Sequence, residues 1–178
     1  MADSLTDVLT GRLQTSLQWT RTDTQEVGTI TNRKTQAATY NLTDGDGPGQ
    51  ADLVFADQRT IAANTVEEFD LLNLSQQALD VAVPFTFRQL RVIRIVNEST
   101  TAGRRLLVGV DPGRPTAVYA AEVGPGSEWI AVNQTDAWEV TADNSVVRIA
   151  NPNGATVTYS LYLIGTSVAA AGGSGGSG

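Results

Sequence analysis

The chain contains no histidine and no cysteine. Those two absences remove Ser-His-Asp triads, thiolate nucleophiles, most zinc and copper sites, and the usual general base near neutral pH. What remains for chemistry is a set of 19 carboxylates, the single lysine Lys34 and the hydroxyls, and hydrolysis by a carboxylate pair is the one familiar reaction such residues support. The candidate acids fall in two groups, Glu67, Glu68 and Asp70, then Asp136, Glu139 and Asp143 around Trp138. A carboxylate against an indole can be held protonated by desolvation. Short acidic clusters beside strand-like segments more commonly face water, so no catalytic residue, cofactor site or metal site is assigned.

Two further features invite a ligand. The loop Asp44-Gly-Asp-Gly-Pro-Gly49 opens like a calcium loop, but Pro48 stands at the third ligand position and Phe55 where the twelfth-position Glu belongs. Its alternating glycines precede the strand-like Ala51–Phe55 instead of a helix, so a helix N-terminus that would bind phosphate is missing. The loop reads as a flexible hairpin tip. Trp129 and Trp138 alternate with polar neighbours, as core aromatics do, and are the alternative platform for stacking a sugar.

The elements that would position these residues show period two. In Thr156–Ile164, Val157, Tyr159, Leu161 and Leu163 fall on one side and Thr156, Thr158, Ser160 and Tyr162 on the other, the pattern of a half-buried strand. Ser145–Ala150 reads as its hairpin partner through Asn151-Pro-Asn-Gly154, where Asn-Gly suits a tight turn. Further strands are expected at Val27–Thr31, Gln36–Leu42, Ala51–Phe55, Thr65–Leu72, Ala82–Phe87, Gln89–Val96, Arg104–Val110, Trp129–Val132 and Trp138–Thr141. No segment provides the long helices that parallel crossovers need. The expectation is therefore an all-β fold, one antiparallel β-sandwich over 17–167, with a jelly roll among the strand orders it allows.

Residues 1–16 read as an N-terminal arm or short helix. Leu5, Val8, Leu9 and Leu13 share a helical face, weakened by Gly11. Residues 168–178 end in GGSGGSG, the composition of a flexible engineered linker. The opening residues lack the basic and apolar stretches of a signal peptide, and no apolar run approaches the ~20 residues that span a bilayer, so no membrane association is expected. A net charge of −7 argues against nucleic acid as a partner, because phosphate binding requires clustered cations. Arg88, Arg91 and Arg94 are expected to form a solvated or interfacial edge. Charged residues are only 17% of the chain, and Thr, Ser, Asn, Gln and Gly take their place, as suits exposed strand faces and turns.

Four stretches carry a family resemblance. Ala38-Thr-Tyr-Asn-Leu-Thr-Asp44 through Asp70-Leu-Leu-Asn-Leu74 and Leu90-Arg-Val-Ile-Arg-Ile-Val-Asn97, then Trp138–Asn151 and Gly154–Gly165, resemble small β-rich structural proteins of tailed phages and prophages, over about residues 25–167. The resemblance implies a coat or head-decoration subunit, assembled in the host cytoplasm and resident in the virion. It transfers no functional residue. For a self-associating protein of this kind, a homo-oligomer or part of a capsid lattice, the candidate contacts are Leu5, Val8, Leu9, Tyr119 and Tyr162. The alternative is a monomeric carbohydrate-binding or adhesin-type module using Trp129 or Trp138.

Overall fold

The computed structural model describes residues 9–25, 28–78, 81–109 and 121–168. Among the described residues thirteen strands run in chain order: β1 Gly11–Gln25, β2 Gly28–Leu42, β3 Leu53–Ile61, β4 Thr65–Asp70, β5 Leu74–Ala78, β6 Val81–Phe85, β7 Gln89–Asn97, β8 Leu106–Val108, β9 Ala121–Val123, β10 Glu128–Val132, β11 Trp138–Glu139, β12 Val146–Asn151 and β13 Val157–Thr166. Every strand pairing is antiparallel.

Two sheets face each other. One has the order β10-β7-β13-β3, with β11 also on β7, and the other has the order β4-β12-β8-β9. Successive strands of the body alternate between the two sheets except at β8–β9 and β10–β11, with β5 and β6 in neither, and the two four-stranded orders together are those of an eight-stranded jelly roll. The alternation read in the sequence fills the space between them. Phe55, Ile93, Ile95, Leu161 and Leu163 come from the first sheet, and Phe69, Leu106, Val108, Val147 and Ile149 from the second. All are nearly or wholly removed from water, and a buried aliphatic or aromatic side chain of this size contributes about 1.5–3 kcal/mol.

The expected Ser145–Thr156 hairpin does not form. β12 pairs with β4 and β8, whereas β13 pairs with β3 and β7, so Asn151–Gly154 crosses from one sheet to the other. The reason lies in Asn151. Its buried amide donates to the carbonyls of Ile61, Ala62 and Ala155, at 3.3, 2.9 and 2.9 Å, which ties the crossover to the β3–β4 turn. Gly154 does not have the positive φ that a tight Asn-Gly turn requires.

The N-terminal reading also changes. Gly11 and Leu13, expected on a helix, lie in β1, which runs past residue 16 without a break and pairs along its whole length with β2, from Gly11↔Leu42 to Gln25↔Gly28. Each strand of this ribbon has 15 residues, about 50 Å at the usual rise. Cross-strand hydrogen bonds over that length outweigh a local helical preference that is marginal at a dozen residues. Residues 1–8, carrying Leu5 and Val8, lie outside the described residues, as do Tyr119, Val110 and the Gly/Ser tail from 169.

Candidate functional site

The β1–β2 ribbon forms a two-stranded sheet of its own. Among the described side chains of the ribbon, packing is confined to its root. Leu42, Ala51 and Val92 form a small second core, with Leu9, Leu13, Val132 and Ile164 against it. Val92, Val132 and Ile164 are register neighbours on the outer face of the first sheet. Further along, every side chain from Ser16 to Thr22 and from Arg33 to Ala37 is exposed. Strand side chains alternate between faces, so both faces of the ribbon are open to water. One face bears Leu17, 63% exposed, and Trp19, 41% exposed. Trp19 stands opposite Lys34, and Leu17 opposite Gln36.

The direction of the ribbon is set by a buried arginine. The pairing of β13 with β7 slips at Ile164/Gly165, where Ile164 faces Val92 and Gly165 faces Leu90. Arg91 is thus the extra residue of a β-bulge, which re-aims its side chain. It is 2% exposed. One terminal nitrogen donates to the carbonyls of Gln134 and Thr135, at 2.8 and 3.2 Å, and the other to Gly47 at 2.8 Å, Asp46 at 3.4 Å and Gln89 Oε1 at 3.1 Å. Burial lowers its pKa, the expected cost of taking a cation out of water. Gly49 N–H donates to the Gln134 carbonyl at 3.1 Å, Gln134 donates from its side chain to the Asn41 carbonyl, and Leu9 N–H donates to Asp44 at 3.1 Å. The Asp44–Gly49 loop is therefore not a flexible hairpin tip. It connects the ribbon to β3 and is clamped to the 133–137 turn, with positive φ at Gly45 and Gly49.

Arg88, Arg91 and Arg94 do not form one edge. Arg88 is exposed, Arg91 is buried, and Arg94 on the outer face pairs with Glu128 at 2.6 Å and lies 5.2 Å from the Tyr162 ring centroid. Tyr162 is half-buried under that guanidinium. Leu9 is half-buried at the ribbon root.

The first group of acidic candidates is engaged by neighbouring side chains and backbone. Glu67 accepts the hydroxyl of buried Tyr159, whose pKa is raised by burial and then by Glu67. Glu68 pairs with Arg148. Asp70 accepts from Asn73 Nδ2 at 2.7 Å and Leu72 N–H at 3.1 Å, and the Asn73 bond in particular lowers its pKa. Asp136, Glu139 and Asp143 are exposed. Trp129 and Trp138 are half-buried and pack against the main core.

A second apolar feature was not legible in the sequence. Leu9, Asp52, Leu53, Val54, Val83, Pro84 and Phe85 line a groove of about 430 Å³ between the edge strand β3 and the β5–β6 hairpin. Val54 and Val83 are each 38% exposed there. The β5–β6 hairpin is held to that edge by Gln76, which donates to the Ala56 carbonyl at 2.6 Å. Alternation marked these residues as strand, but only the placement of one hairpin over another strand's edge brings them together.

No family model, curated protein or solved structure matches the chain.

Proposed function

We propose that this chain is a non-enzymatic structural subunit that self-associates as part of a phage-like particle, of coat or head-decoration type, assembled in the host cytoplasm. The observation that carries the reading is the β1–β2 ribbon, exposed on both faces and bearing Leu17 and Trp19. An isolated two-stranded ribbon is marginal in water, and covering what remains exposed of Leu17 and Trp19 would add, for each, roughly half of the 1.5–3 kcal/mol that full burial of a large apolar side chain contributes. A neighbouring subunit that covers the ribbon is what makes so long a ribbon useful. The residue-level resemblance to phage structural proteins supports the same reading, as does the jelly roll, which recurs in viral capsids. Folds host many functions, so the ribbon carries more weight than the fold.

The jelly roll also recurs in lectins, and a carbohydrate-binding module using Trp129 or Trp138 is the competing reading. Stacking on sugar needs an open indole face, whereas both indoles are packed against the core. Light scattering behind size exclusion, followed by negative-stain imaging, separates the two. Masses of many subunits with closed shells or rings are the expected result, and a discrete trimer would narrow the role to decoration. A monomer at high concentration, together with binding on a glycan array, would replace the proposal with the module.

A further inference from the structure

We infer that the groove between β3 and β6 is the seat for the β1–β2 ribbon of a second copy of this chain, with Trp19 entering it and Lys34 approaching Asp52. The inference rests on the self-association proposed above and names its contact. Among the described residues the exposed large hydrophobics are Leu17, Trp19, Val54, Val66, Val83 and Val168. Two of them share one face of the ribbon and two line the groove. At about 430 Å³ the groove falls in the range that encloses a compact organic group, roughly 300–1,000 Å³.

Strand geometry decides that the ribbon comes from another copy. Leu9 lines the groove and lies two residues before β1. Trp19 lies eight residues into the strand from Gly11, about 27 Å away at a rise of ~3.4 Å per residue. The root is fixed by Leu13 and Leu42 against the outer sheet face and by the Arg91 clamp. A chain cannot return its own Trp19 to its own groove without dismantling β1.

Charge favours the same occupant. Residues 11–42 hold four basic and two acidic residues, a net of +2, which leaves −9 on the rest of a chain whose total is −7. Ribbon against ribbon is repulsive, and ribbon against body is attractive. At the contact, Lys34 stands opposite Trp19 on the ribbon. Asp52, the one charged residue lining the groove, accepts from the Ser167 amide at 2.8 Å and from its hydroxyl, bonds that fix its carboxylate in place. An indole beside an ammonium thus meets an apolar groove beside a carboxylate.

The absence of cysteine from the chain gives a direct test. Full-length Gln36→Cys, exposed on the ribbon face that bears Leu17 and Trp19, and Thr86→Cys, exposed beside Phe85 of the groove, leave the contact residues in place and are mixed and joined by oxidation or a short bismaleimide. The mixed covalent dimer is expected in about tenfold excess over a control pairing Gln36→Cys with Glu122→Cys on β9, because seating raises the local thiol concentration. Each variant is first shown to melt at the parent temperature, so that misfolding is excluded. Parent protein that assembles while the mixed pair gives no more product than the control overturns this contact and leaves self-association standing. Parent protein that stays monomeric overturns both. Preferential dimers of Gln36→Cys alone would mean ribbon on ribbon, and cross-linking that appears only after residues 2–8 are deleted would assign the groove to the chain's own N-terminus; either result overturns the inference.

Discussion

Arg91 gathers two loops around one guanidinium whose contacts are carbonyls and the Gln89 amide rather than a carboxylate. Such an arrangement satisfies both terminal nitrogens without a counter-ion, leaves the buried Nε without an acceptor, and makes the acceptors depend on the arginine. Arg91→Met should lower the unfolding free energy in urea by about 3 kcal/mol, since buried carbonyls of both loops lose their donor. Arg91→Lys should recover little, because an ammonium cannot fan out to the same acceptors. The Asp70 carboxyl, titrating below its usual 3.8 chiefly through Asn73, ties the Leu71–Asn73 turn. A carboxyl with a lowered folded pKa contributes stability above its unfolded pKa and loses it as pH falls through the folded one. Asp70→Asn should therefore lower the melting temperature at neutral pH and flatten its decline below about pH 4, so that parent and variant converge in acid. Neither role was readable beforehand: Arg91 had been expected on a solvated edge with Arg88 and Arg94, and what moved it inside was the bulge, a pairing irregularity between strands some 70 positions apart in sequence.

At the scale of elements, β13 is the best-read part of the molecule. Val157, Tyr159, Leu161 and Leu163, grouped by alternation alone, are all buried, because in a two-sheet fold period two and the core face are the same signal. Its partners were not so readable. Asn151–Gly154 has the composition of a tight turn, yet it serves a sheet-to-sheet crossover, since Asn side chains bond backbone carbonyls as readily as they tolerate turns. The end of β13 depends on Gly165, where an added Cβ would stand 2.0 Å from the Gln89 carbonyl oxygen. The contact is with backbone, which cannot swing aside as a side chain would. Gly165→Ala should cost more than about 3 kcal/mol or prevent folding, measured by urea unfolding or soluble yield. Trp138→Ala, by contrast, removes a half-buried ring from the core margin and should cost about 2 kcal/mol, less than the 3–5 of a fully buried aromatic.

For the whole molecule the dominant feature is the contrast in net charge between an acidic jelly-roll body and a net-basic ribbon. Replacing Leu17–Gln36 with an Asn-Gly turn keeps the packed root, Leu13 and Leu42, and removes the exposed length. The shortened protein should retain the parent's melting temperature to within a few degrees. Its mass by light scattering should drop to that of a monomer. Because ribbon and body carry opposite net charge, assembly of the parent should also weaken as salt rises from 0.05 to 0.5 M or so, a range over which the screening length falls from roughly 14 to 4 Å. Persistence of full-sized assemblies in the shortened protein would place the interface elsewhere on the body.

Composition and period two by themselves determined the all-β class, the antiparallel sheets, the core faces of the main strands, and the want of histidine and cysteine chemistry, because each of these follows from residue type or from spacing within one strand. The tertiary structure decided the rest. It selected the jelly-roll order, turned residues expected on a helix into the first strand of a 15-residue ribbon, buried Arg91, and set the β5–β6 hairpin over the edge of β3 to make a groove. Those outcomes depend on which strand finds which neighbour, and pairing energy is shared between segments distant in sequence, so no local pattern encodes it.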